Sequence, residues 1–145
     1  MSRVRAVVVA ALGAAAAAAW WLIPLSGTAR VREDLPPEFA AERNPLTGAG
    51  AIEAGSRIFH ANCATCHGEH ADGHGPASVG LTPPPANFRA GVVLAKHSDA
   101  YLYYRVSVGK AGTAMPSFHG VLDETERWQV VTYLRSLASA ESTPP

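Results

Sequence analysis

Apolar positions along this chain fall into one unbroken run and three periodic stretches. The run, Ala6 to Leu25 (AVVVAALGAAAAAAWWLIPL), carries no charge. The first periodic stretch, from about Gly50 to Ala61, puts Ile52, Gly55, Ile58 and Phe59 on adjoining positions of one side of a helix. The second starts at Ser98, a good N-cap, and ends at Val108 with Gly109 in the stop position. The third opens on Asp123 and Glu126, a capping-box-like pair, and lines up Trp128, Val131, Tyr133, Leu134 and Leu137 as an apolar face. Between the helices lie a glycine- and histidine-rich stretch (67–80) and LTPPPANF (81–88), whose prolines forbid regular helix or central strand. A further loop, KAGTAMPSFHG, begins at Lys110. No strand signal and no internal repeat appears, so the expected class is all-α with long loops. Loops this long in so small a domain call for extra support from a metal, disulfides or a cofactor.

The apolar run divides the chain. Twenty residues of helix span roughly 30 Å, the thickness of a bilayer's hydrocarbon core. Arg3 and Arg5 precede the run, and Trp20 and Trp21 sit near its far end, where indoles favour the membrane interface. A cleaved secretory signal is the rival reading: Gly27-Thr28-Ala29 offers the small residues that cleavage needs, although a signal's apolar core usually has about 7–15 residues. Both readings export the remainder of the chain. The expected organisation is a membrane anchor or signal over 1–29, a linker over 30–47, one domain over 48–140 and a disordered tail over 141–145. In the linker, Pro36, Pro37 and Pro45 are read as helix breakers, and Glu33, Asp34, Glu38 and Glu42 as keeping it solvated.

Charge changes the picture only when split by position. The whole chain balances at 12 basic and 12 acidic residues, but all 12 acidic ones lie at or after Glu33, against 8 basic ones there, leaving 33–145 at −4. That excludes a nucleic-acid partner of the usual kind, which wants a basic face. Two cysteines exclude a multi-disulfide scaffold and a zinc site with four cysteine ligands.

Those two cysteines sit in Cys63-Ala64-Thr65-Cys66-His67, the Cys-x-x-Cys-His pattern of c-type haem attachment. Two thiols about one helical turn apart can add to the two vinyl groups on one edge of a haem, and the following histidine then supplies an axial imidazole. A thioredoxin-like redox pair would need a βαβ setting, which is lacking, and a zinc finger would need an H-x₃₋₅-H partner in context. A structural disulfide here would close a very short ring and stabilise little. For the sixth ligand the chain offers one methionine beyond the initiator, Met115, in the proline-stiffened loop Thr113–Phe118. His97 and His119 are the live alternatives; His60, His70 and His74 stand too close to the attachment site.

With these pieces in place, GSRIF-HAN-CATCHG, a G-x-G-P stretch, G-TAMPSF and ERWQVVTYLRSL, residues 48–138 resemble the class I cytochrome c family. The likeness is greatest to single-haem domains grouped with the third subunit of cbb3-type oxidases and their membrane-tethered relatives. The resemblance implies a small fold of three to five helices around one haem c, attached through Cys63 and Cys66. It implies His67 and Met115 as the iron ligands, and the carbonyl of Pro76 as acceptor for the second ring nitrogen of His67. Gly55 and Phe59 would pack on Val130 and Tyr133 of the last helix. For 81–97 no contacts are assigned; the proline run either lies over the haem edge or is an exposed loop. The implied work is single-electron transfer between respiratory redox partners, with no catalysis by the domain alone. Carriage as a subunit of a larger membrane oxidoreductase and a gas-binding or sensor haem are the competing readings. The implied location is the bacterial cytoplasmic membrane, held through residues 6–25, with the haem domain on the outer, periplasmic side. If the leader is cleaved after Ala29, the protein is instead soluble in the periplasm.

Overall fold

The computed structural model describes residues 34–140. The anchor or signal segment 1–29, the first residues of the linker and the tail 141–145 lie outside the described residues. Within the described residues no helix is long and apolar enough to cross a membrane. They form α1 (Pro37–Ala40), α2 (Ala49–Asn62), α3 (Ala64–His67), a 3₁₀ turn at Pro76–Ser78, α4 (Val92–Lys96), α5 (Asp99–Val108) and α6 (Glu124–Ala140), with no strand among them. The class is all-α, and the three periodic stretches are its three long helices.

Helix α6 starts where its side chains satisfy its first amides. Asp123 Oδ1 accepts from the Glu126 N–H at 2.8 Å, and Glu126 Oε2 accepts from the Asp123 N–H at 2.8 Å, a reciprocal capping box. Ser98 caps α5 in the same way, its hydroxyl accepting from the Tyr101 N–H at 3.1 Å. Helix α2 packs on α6 more closely than side chains would allow. A Cβ on Gly55 would fall far inside contact of the Gln129 carbonyl oxygen and 2.9 Å from Tyr133 Cβ, so only glycine fits. One turn further on, the Phe59 ring lies 5.3 Å from Tyr133. Helix α5 crosses α6 on the other side, where Tyr103 stacks on Trp128 at 4.0 Å. Phe59, Trp128 and Val131, each at most 1% exposed, mark the centre of this core.

Two stretches carry more structure than their prolines suggested. Pro36 and Pro37 begin α1 instead of breaking it, occupying the N-cap and first positions, where a missing N–H costs nothing. The stretch 37–47 is docked on the domain. Phe39 packs on Tyr104 and Tyr103 at 4.8 and 6.2 Å, Asn44 Nδ2 donates to Thr132 Oγ1 at 3.0 Å, and Leu46 joins the core. In 81–97, left unassigned by the sequence, Val92–Lys96 is helical and buries Leu94. Arg135 on α6 fastens this stretch: its guanidinium donates to the Leu94 carbonyl, to the His97 carbonyl at 2.5 Å and to Asp99 Oδ1 at 2.6 Å.

Candidate functional site

Helix α2 ends at Cys63, and one further turn, α3, comes next. The amides of Cys66 and His67 both donate to the Cys63 carbonyl, at 3.1 and 2.9 Å, which sets the two cysteines one turn apart. This turn forms the floor of a cavity of about 530 Å³. Asn62, Cys63, Cys66 and His67 line it from below; Leu81, Pro83, Pro84, Pro85, Ala86 and Phe88 form one wall. Val93 and His97 come from α4 and its end, and Tyr101, Leu102, Arg105 and Val106 from α5. The loop after α5 contributes Lys110, Thr113, Ala114, Met115, Pro116 and Phe118, and α6 contributes Leu134. The proline run is therefore cavity wall. The lining is chiefly apolar, as a site that holds a cofactor out of water requires.

The cysteine thiols are free of one another, with no disulfide between them. Burial, reinforced by the neighbouring Cys66, pushes the Cys63 thiol up to about 12. A redox dithiol needs the opposite, a depressed thiol. The His67 Nδ1 sits 3.1 Å from the Ala86 carbonyl oxygen. A carbonyl can only accept, so Nδ1 carries the proton and Nε2 keeps its lone pair. Burial holds the imidazole below its usual range, the Ala86 bond working in the other direction, so the ring is neutral at pH 7. Phe88, 5.1 Å away, flanks the ring.

The expected acceptor at Pro76 is thus replaced by Ala86. Nearby, the Gly75 N–H donates to the Cys66 carbonyl at 3.1 Å, which ties the Gly75–Pro76 stretch to the backbone of α3. The imidazole lies on the side where residues 86–88 pass. Met115 lines the same cavity as His67. Its loop is held in place by backbone bonds, with the Met115 carbonyl accepting from the Lys110 N–H at 3.1 Å. Gly109 permits this turn, since its φ of +75° suits glycine and a Cβ there would lie 2.6 Å from the Met115 carbonyl oxygen. His119 is exposed and does not line the cavity, whereas His97 does, stacked on Tyr101 at 4.0 Å. His60 is exposed and bonded to the Ser56 and Glu69 carbonyls, and His70 and His74 are exposed. Two members of the site were missed from the sequence, the Ala86 carbonyl and Arg105. The second had a signal: Tyr101, Leu102, Arg105 and Val106 recur at helical spacing, which places an arginine on the inward face of α5.

Comparison with known proteins decides the family. The family model described as cytochrome c matches residues 52–138, which is more than half of the chain. The chain belongs to the cytochrome c family. It is 30% identical over 95 residues to the cbb3-type cytochrome c oxidase subunit CcoP of Azospirillum brasilense, covering 66% of this chain and 31% of that protein. To the cbb3-type cytochrome c oxidase subunit FixP of Bradyrhizobium sp. (strain ORS 278) it is 33% identical over 88 residues, 61% of this chain and 28% of that one. Among solved structures it resembles a chain of the reducing HAO-like protein complex of Kuenenia stuttgartiensis. There the TM-score is 0.53 and the identity 30%, with 66% of this chain and 49% of that chain covered. The chain thus spans less than a third of the two curated relatives and about half of the solved one.

Cytochrome c membership implies a haem c, and the residues present fit one. The two thiols stand one turn apart at the floor of a single apolar cavity, within the roughly 300–1,000 Å³ typical of sites for bound small molecules. Arg105 also lines the cavity. Arg105 Nε is buried and makes no hydrogen bond, while the guanidinium lies over the rings of Tyr101 and Tyr104 at 4.9 and 4.8 Å. The guanidinium carries a fixed positive charge, which the carboxylates of a haem would complement.

Proposed function

We propose that this chain carries single electrons between redox partner proteins through one haem c, bound by thioether links to Cys63 and Cys66 and ligated by His67 and Met115. The observation that carries the reading is the convergence of both thiols, the His67 imidazole and the Met115 thioether on one apolar cavity. The haem supplies reversible one-electron exchange at its iron when bound. The chain's own residues do the rest. Nδ1 of His67 donates to Ala86, which fixes the ring and leaves Nε2 as the ligand. Held by Met115 together with His67, the haem would favour its reduced state more than it would with a second imidazole. Arg105 and Lys110, the two cationic side chains of the lining apart from histidine, would hold the propionates. The prolines and Phe88, Val93, Leu102 and Phe118 keep water from the centre. If His67 and Met115 both held the haem iron, no position would be left there for a substrate, and the domain would serve as a carrier and not as a catalyst.

The chain is further proposed to work at the outer face of a bacterial cytoplasmic membrane, tethered through residues 6–25 or released by cleavage after Ala29. Service as a subunit of a larger membrane oxidoreductase is the second reading. It is favoured by the relatives, two of which are named as oxidase subunits and one as part of a complex. Denaturing electrophoresis with haem staining tests attachment: the colour should stay with the chain, and colour extracted by acid acetone would overturn it. Met115→Ala should abolish the weak far-red absorption of thioether-ligated ferric haem and lower the reduction potential. A change of spectrum on His97→Ala instead would assign the ligand to His97. Purification in mild detergent separates carrier from subunit, since the subunit reading requires other chains to co-purify.

A further inference from the structure

Arg127, in the first turn of α6, is only 7% exposed. Its Nη1 donates to Ser107 Oγ at 3.1 Å, its Nε to the Asp123 carbonyl at 3.3 Å, and its guanidinium stands 5.1 Å over the Tyr103 ring. These partners are all neutral. A guanidinium stays charged, and burying one against neutral groups is a costly way to fill a core position that an apolar side chain of similar volume could take. What the cation grips suggests the return. Ser107 is fully buried at the C-terminal end of α5. Its carbonyl accepts from Ser117 Oγ at 2.6 Å and from the His119 N–H at 3.1 Å, and the adjoining Val106 carbonyl accepts from the Phe118 N–H at 3.1 Å. The last carbonyls of a helix have no partner within it, and here the loop that carries Met115 supplies their donors. A cation at this end also complements the helix dipole. Met115 thus hangs between Gly109 and a set of bonds to Val106 and Ser107, and Arg127 holds Ser107 from behind.

We propose that Arg127 is a positioning residue for Met115, acting through Ser107 to fix the loop Thr113–His119 on the end of α5 and so to hold the thioether against displacement. The inference rests on the reading of Met115 as an axial ligand. Its test is a titration of the oxidised, full-length holoprotein with imidazole, following the thioether-to-iron absorption. Arg127→Met removes the charge and the donors while keeping an unbranched apolar stem; Ser107→Ala removes the contact it uses. Each should raise the apparent affinity for imidazole by about tenfold, equivalent to about 1.4 kcal/mol. The double variant should gain little beyond either single one, because both break the same link. Arg127→Lys, which keeps a cation and a donor for Ser107, should restore most of the wild-type resistance. Unchanged imidazole affinity in Arg127→Met or Ser107→Ala, even with a lower melting temperature, would overturn the proposal and leave Arg127 a packing residue. Additive effects in the double variant would overturn the route through Ser107. Should Arg127→Met fail to fold, Ser107→Ala and Ser117→Ala carry the same test from the loop's side. If the wild-type protein itself lacks the absorption, the methionine ligand is wrong and the failure belongs to that reading.

Discussion

Two regions of the domain are held by different forces. Helices α2 and α6 bury side chains against one another: Gly55 against the Gln129 backbone, Phe59 against Tyr133, and Trp128 and Val131 at the centre. The loop segments 81–88 and 109–119, which line the cavity, bury little beyond Phe88 and part of Ala86 and Phe118. Pro83, Pro84, Ala114 and Pro116 line the cavity yet remain exposed. That wall is hung by backbone bonds: Phe88 N–H to the Ala71 carbonyl at 2.8 Å, and Phe118 N–H to the Val106 carbonyl at 3.1 Å. The helix seam is held by its own side-chain packing, whereas most side chains of these loops face the cavity or solvent. Fold and function therefore have separate supports in this domain, joined at the few residues where one region grips the other.

Damage to the packed seam should cost the most. Gly55→Ala would drive a methyl group into the Gln129 backbone, which cannot yield as a flexible side chain would. The expected cost is about 3 kcal/mol or more, a fall of over roughly 10 °C in melting temperature for a domain of this size. Thermal unfolding followed by circular dichroism measures it. A shift of only a degree or two would mean that the two helices can separate without penalty, and the seam would not be the main support.

Arg135→Met tests the joint instead. The arginine stands on α6 but grips the Leu94 and His97 carbonyls and Asp99, so its loss should loosen the 92–98 segment while sparing α2 and α6. Global stability should fall by about 2 kcal/mol, since these are charge-assisted bonds in a part-buried setting. Hydrogen exchange resolves the effect by region: amides of 92–98 should exchange faster, those of 52–60 and 128–137 in proportion to the global change alone. Equal local acceleration in α6 would erase the distinction between frame and wall.

The same division marks what could be read from the sequence. The frame was legible because it repeats: the apolar period of α6, its Asp123–Glu126 cap, the Ser98 cap and the Gly55/Phe59 pair all act within a turn or two of themselves. Cys63, Cys66 and His67 were legible as a motif, and Met115 because no other methionine comes after the initiator. The wall was not. That the carbonyl bonded to His67 belongs to Ala86 and not Pro76 depends on which loop passes the ring, and backbone acceptors leave no mark in side-chain identity. Residues 37–47 were misread because prolines look like breakers until their position in the first turn is known. Residues 37–47 are docked on the domain and do not act as a free linker.

A subtler change is expected at the frame's polar seam. Tyr103 is 5% exposed and stacked on Trp128, and burial raises its phenol above the usual value, with the Arg127 charge pulling the other way and Glu124 adding to the rise. A raised folded-state value means that the fold binds this proton more tightly than the unfolded chain does. The stabilisation is therefore fully present below the unfolded value, about 10 for tyrosine, and is lost as pH rises through the folded one. Tyr103→Phe keeps the ring stack and has no proton to lose. At pH 7 it should be no more stable than the parent, but above about pH 10 its stability should decline more gently, so that the difference between the two shrinks or reverses. Urea unfolding at a series of alkaline pH values would show it, and two curves falling in parallel would place the alkaline loss elsewhere than at Tyr103. Because the phenol sits where α5 meets α6, a confirmed difference would locate the alkaline weakness in the packed frame, with the hung wall giving way only as the frame opens.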